Sequence, residues 1–97
     1  MTPDEKIDFF TKLVADTIRK FQMLETRRID TIPTLRAKWI LVEKTMKVID
    51  QKVAAVGALI NAHDSLAAER SLDRAVKAAE LLNLELDELL VATEPQK

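Results

Sequence analysis

The chain has 97 residues, enough for one domain with a core of moderate size and too few for two. Apolar residues make up 47% and charged residues 32%, with one glycine, three prolines and no cysteine. That mix suits helices joined by short turns, and it excludes disulfides and thiolate chemistry. The net charge of -1 gives no global pull toward nucleic acid or anionic lipid.

The charge is nonetheless uneven. Residues 31–63 carry five basic and two acidic side chains, and residues 64–97 carry four basic and eight acidic ones, which predicts that the two segments lie side by side and attract each other. The start, Met1-Thr2-Pro3-Asp4-Glu5, is acidic and polar where a secretory signal is basic and then apolar. No apolar run approaches the ~18 residues of a membrane span. A cytoplasmic chain is expected.

A first helix is predicted over about 3–29. Thr2 suits the cap, Pro3 the first helical position, and Glu5 the third residue of a capping box. Its seam reads Ile7, Phe10, Val14, Phe21 and Leu24, broadened by Leu13 and Ile18. The rhythm breaks at Asp30-Thr31-Ile32-Pro33-Thr34, where Pro33 is well placed to open a second helix over about 33–61, antiparallel to the first.

This second helix carries the longest seam: Leu35, Trp39, Val42, Met46, Ile49, Val53, Val56, Ile60 and His63, alternating steps of four and three. Another stripe, Leu41, Val48, Ala55 and Ala62, recurs every seven residues on a different face. Two stripes are what the middle helix of a three-helix bundle needs, so this helix is expected at the centre. A Trp39 on the seam is expected to be buried against the first helix.

A turn at Asn61-Ala62-His63-Asp64-Ser65 leads to a third helix over about 65–92, capped by Asp64 or Ser65. Its seam is Ala68, Leu72, Ala75, Ala79, Leu82, Leu86 and Leu89, and the small residues predict a close approach of helix axes. The tail 93–97 has nothing to bury and is expected to fray. The fold class that results is all-α, an antiparallel three-helix bundle of long helices with coiled-coil-like packing.

The search for chemistry finds no reaction centre. His63 is the only histidine, with Asp64 and Glu69 near it in sequence but no nucleophile, and it is read as a helix-end residue making a local hydrogen bond. With no cysteine and no second histidine, a metal site would rest on carboxylates that do not converge on one face. Glycine-rich phosphate loops are absent, and Gly57 alone in a helix reads as a packing concession. No enzymatic activity and no cofactor are expected.

What remains is surface. Leu81 and Leu84 project away from the third helix's seam among the acids Glu80, Glu85, Asp87 and Glu88, and Leu41 and Val48 add apolar surface on the second helix. A leucine-and-acid helix suits docking to another protein, or to a second copy through the basic second helix. The function this supports is a small interaction or assembly protein: an adaptor, a chaperone-like factor or a phage-type inhibitor, monomeric or oligomeric. A second reading is nucleic-acid binding, because Arg27, Arg28, Arg36 and Lys38 gather at the first turn and would contact phosphates there.

Overall fold

The computed structural model describes residues 2–94. It contains three long helices, α1 (Pro3–Thr26), α2 (Arg36–Asn61) and α3 (Ser65–Ala92), with a short 3-10 turn at Ile29–Thr31 between the first two. The described residues include no strand.

Local chemistry sets the helix ends. At the start of α1 the Glu5 N–H donates to Thr2 Oγ1 at 3.2 Å, and Asp4 and Glu5 face the positive end of the helix dipole. α1 stops at Thr26, three residues short of the expectation, because Arg28 turns into the left-handed region at φ 55° and drops Ile29 into the bundle, where it is fully buried. Pro33 does not open α2. The Thr31 and Ile32 N–H groups close the 3-10 turn on Arg28 and Ile29, and Leu35 N–H bonds to Ile32 O. The first bond of the α type comes only from Trp39 N–H to Leu35 O, so the helix begins at Arg36.

The second turn is sharp. His63 sits at φ 58°, its N–H bonds to Ile60 O at 3.0 Å, and the Asp64 N–H reaches back to Leu59 O at 3.1 Å. This pairing closes many helices, usually with glycine in the left-handed position. Asp64 then caps α3 by accepting from the Ala67 N–H at 3.2 Å. The expected α3 boundaries are the observed ones.

α2 runs antiparallel to the other two helices, and α1 and α3 are parallel. Contacts between α1 and α3 join residues a near-constant distance apart in sequence: Lys6 with Glu69, Lys20 with Asn83 and Arg27 with Leu90 are each separated by 63 positions. The central helix is α3, not α2. Both α1 and α2 pack along it, while no Cα of α1 comes within 8 Å of one in α2. The whole predicted seam of α3 is buried, with Ala75 and Ala79 fully covered. Side chains bridge α1 and α2 at the end nearest the first turn, where the rings of Phe21 and Trp39 stack with centroids 4.7 Å apart and Trp39 is buried as expected.

Away from that end the second-helix seam is only half satisfied. Trp39, Val42, Ile49 and Val56 are buried, but Val53 is 39% and Ile60 43% exposed, and His63 is exposed too. The cause is topological: α3 covers one side of these residues, and α1 stands too far off to cover the other. Gly57 shares this opening, since a Cβ added to it would meet nothing within 4 Å. Its presence is therefore no concession to close packing. The stripe of Leu41, Val48, Ala55 and Ala62, expected against a second neighbour, is exposed throughout.

Two substitutions separate these environments. Ala75→Leu forces extra volume into a filled contact and is expected to destabilise by about 1–3 kcal/mol in urea denaturation. Gly57→Ala places its methyl in open space on a helix interior and is expected to stabilise by about 0.5–1 kcal/mol. A neutral Ala75→Leu would contradict the close approach of the helices at α3.

Candidate functional site

Three regions outside the apolar core carry polar or exposed groups in an organised way. The first joins α1 to α3. Thr17, on the α1 seam between Val14 and Phe21, is buried; its hydroxyl donates to Leu13 O at 2.7 Å and accepts from Asn83 Nδ2 at 3.0 Å. The same amide donates to Asp16 Oδ2 at 3.1 Å, and its oxygen accepts from Lys20 Nζ at 2.7 Å. Lys20 also bridges Asp16 at 3.1 Å and Asp87 at 2.7 Å.

Hydrogen bonds from Arg19, Asn83 and Lys20 hold the Asp16 carboxyl well below the ordinary carboxylate range. For Lys20, burial pulls the ammonium downward, but its bonds to Asp87 and Asp16 outweigh that and leave its pKa raised. Every buried side-chain donor and acceptor among the described residues has a partner, and the cluster fixes the register of α1 on α3.

The second region is a cavity of about 240 Å³ at the end of the bundle where α2 meets α3. Val56, Ala68 and Leu72 form its apolar floor and Ile7 and Ile60 its walls, with Lys6, His63 and Glu69 at the mouth. Lys6 is tied to Glu69 at 2.8 Å and to Asp73 at 3.6 Å. The hydrogen bond between Lys6 and Glu69 raises the pKa of the ammonium and lowers that of the carboxyl. His63 is placed here by its left-handed backbone. The local hydrogen bond of this helix-end residue is made by its backbone N–H, to Ile60 O. Among the described residues no group of three or more histidine and acidic side chains converges on a metal position.

The third region is the outer surface of α2 and α3. A cleft of about 360 Å³ is lined by Lys38, Leu41, Val42 and Thr45 from α2 and by Glu85, Glu88 and Leu89 from α3. It brings Leu41 together with Glu85 and Glu88. Leu81 lies one helical turn from Glu85, and Leu84 follows three residues after Leu81; both leucines are exposed, as is Glu80. Val48 continues the Leu41 stripe two turns along α2. Asp87 does not join this group, because it faces the opposite flank of α3 and pairs with Lys20.

Sequence reasoning missed part of this surface. Leu66, Leu81, Leu84 and Val91 each expose 60% or more of their surface. Together with Arg70, Asp73, Lys77 and Glu88 they follow steps of four and three along α3, a second seam opposite the buried one, with Asp73 at its edge toward α1, where it pairs with Lys6. That spacing was readable in the sequence, hidden because charged residues occupy half of it.

The basic end is partly spoken for. Arg27 donates through Nη1 to Leu90 O at 2.8 Å and to Thr93 Oγ1 at 3.0 Å, and so covers the last carbonyls of α3. Thr93 is thereby anchored where a frayed tail was expected; residues 95–97 lie outside the described residues. Arg28, Arg36 and Lys38 are exposed near the first turn. The attraction expected between the basic α2 and the acidic last segment is not made by contact ion pairs, since every ion pair among the described residues includes a residue of α1.

No helix among the described residues is long and apolar enough to cross a membrane. Comparison with protein-family models, curated proteins and solved structures finds no match to this chain.

The lowered pKa of Asp16 has a signed consequence. A carboxyl whose pKa is lower in the folded state contributes stability that is fully present above its unfolded value of about 4 and is lost as pH falls toward the folded one. The urea midpoint of the wild type should therefore drop as pH is lowered from about 5 to 2, and Asp16→Asn should drop less steeply. Parallel pH profiles for the two proteins would show that the Asp16 network adds nothing to stability.

Proposed function

We propose that this chain is a non-catalytic helical interaction protein whose docking surface is the outward face of α3, continued onto α2 by Leu41 and Val48. The observation that carries the reading is the exposure of Leu66, Leu81, Leu84 and Val91 on one side of the helix whose other side is the most deeply buried in the molecule. Exposed apolar groups gathered on one face and framed by charges are characteristic of protein contacts. Adaptors, assembly factors and small protein inhibitors all work through a surface of this kind. A reaction has less support, because the polar groups of the chain are either paired to hold α1 on α3 or spread over exposed faces. For binding to phosphates, the engagement of Arg27 by the end of α3 removes one of the four basic residues that would serve it.

The test is affinity capture from the native host with the wild type and Leu84→Asp as baits, with circular dichroism on both. The wild type should retain a specific protein, either foreign or an untagged copy of the chain, that Leu84→Asp loses at unchanged helicity. Equal recovery by both baits would contradict the surface, and loss of helicity would place Leu84 in the core.

A further inference from the structure

The outward face of α3 is ordered by charge. Its N-terminal half presents Arg70, Arg74 and Lys77, with Asp73 at the edge toward α1 where Lys6 neutralises it, and its C-terminal half presents Glu80, Glu85 and Glu88. All six outward residues are exposed, and none forms an ion pair among the described residues, whereas the acids of α3 that face α1 are paired: Glu69 and Asp73 with Lys6, and Asp87 with Lys20. Within α3 these outward charges mostly neighbour their own sign, and Lys77 and Glu80, three residues apart where the two halves meet, are the exception. Arg70 and Arg74 are four residues apart, Arg74 and Lys77 three, and Glu85 and Glu88 three. Like charges at those spacings lie on adjacent turns and weaken an isolated helix. An opposing surface with the reverse order of charge would relieve them.

The chain itself offers that surface. Arg70 and Glu88 each lie nine residues from Ala79; Arg74 and Glu85 lie five and six from it; Leu66 and Val91 lie thirteen and twelve. We infer that the outward face of α3 pairs with the same face of a second copy, the two α3 helices running antiparallel across a twofold axis near Ala79. This inference rests on the interaction reading above and names its partner.

Across such an axis Arg70 meets the Glu88 of the second copy, Arg74 its Glu85 and Lys77 its Glu80, and each pairing occurs twice by symmetry. Leu66 meets Val91 at both ends. Near the middle, Leu81 and Leu84 lie against the aliphatic stems of Lys77 and Arg74, and Leu81 also lies close to its own symmetry mate. Parallel pairing would set arginine on arginine and glutamate on glutamate. Docking the basic outer face of α2, with its Lys44 and Lys52, onto α3 would match the acidic half and oppose the basic half. The antiparallel copy answers both halves.

Sedimentation velocity and light scattering at micromolar concentration test this in three samples. The wild type is expected at twice the monomer mass of 11.0 kDa. Two double variants, Arg70→Glu with Arg74→Glu and Glu85→Arg with Glu88→Arg, set like charges opposite each other at the four outer pairings of a self-paired face and leave Lys77 and Glu80 as they are. Each should run alone at the monomer mass with unchanged helicity, and an equimolar mixture of the two should return to the dimer mass with one chain of each. A monomeric wild type, variants that dimerise alone, or a mixture that stays monomeric would each overturn the inference. A monomeric wild type that still captures a foreign protein through Leu84 overturns only the second copy. A dimer that survives both charge reversals and Leu84→Asp removes the interaction reading of this face as well.

Discussion

One face of α3 has to serve two neighbours, and Ala75 and Ala79 are what allow it. Both are fully buried, and their small side chains let α1 and α2 approach the same helix closely along its length. The remaining arrangement is a consequence. With both neighbours leaning on α3, α1 and α2 are held apart in backbone terms, and they touch through side chains where Phe21 stacks on Trp39. The bundle is accordingly flattened, with extents of 50 × 23 × 17 Å.

Apolar packing alone would leave the register of α1 on α3 loosely specified, since a seam of similar side chains tolerates sliding by a turn. The polar layer of Asp16, Thr17, Lys20, Asn83 and Asp87 removes that freedom. Asn83 meets three partners on α1, and a slide of one turn would separate them and bury Thr17 without its second hydrogen bond. Arg27 fixes the same register at the far end by reaching Leu90 and Thr93, and Lys6 at the near end by reaching Glu69. α2 needs no such device. It is tied to α3 by the short turn at His63 and by burial of Val42, Ile49 and Val56.

Much of this was legible in the sequence. The all-α class, the α3 boundaries, the cap at Thr2 and the burial of Trp39 follow from local spacing and capping chemistry, which also narrowed the α3 cap to Asp64 or Ser65, of which Asp64 serves. The identity of the central helix was not, because a stripe such as Leu41, Val48 and Ala55 reads the same whether a neighbour or solvent lies beyond it. Thr17 and Asn83 escaped notice for a related reason: pattern reading counts apolar residues, and a polar residue on a seam appears as a gap until its partner is seen across the interface. Among the residues nominated for docking, Leu41, Leu81, Leu84, Glu85 and Glu88 stand together on the outer surface of α2 and α3, while Asp87 was assigned to the wrong flank because spacing alone does not say which acid meets Lys20.

The same asymmetry shapes what the surface is available to do. α3 is covered on one side and carries its most exposed leucines on the other, so any partner that docks there reads a helix already held rigid by two neighbours. The placement of α3 at the centre is most directly measured by methyl NOE spectroscopy of the folded protein. The Ala75 and Ala79 methyls should show cross-peaks to side chains of both α1 and α2, and the methyls of Leu41, Val48 and Ala55 should show none to α1. Cross-peaks from that α2 stripe to α1, with Ala75 and Ala79 seeing one neighbour alone, would put α2 at the centre and contradict the arrangement.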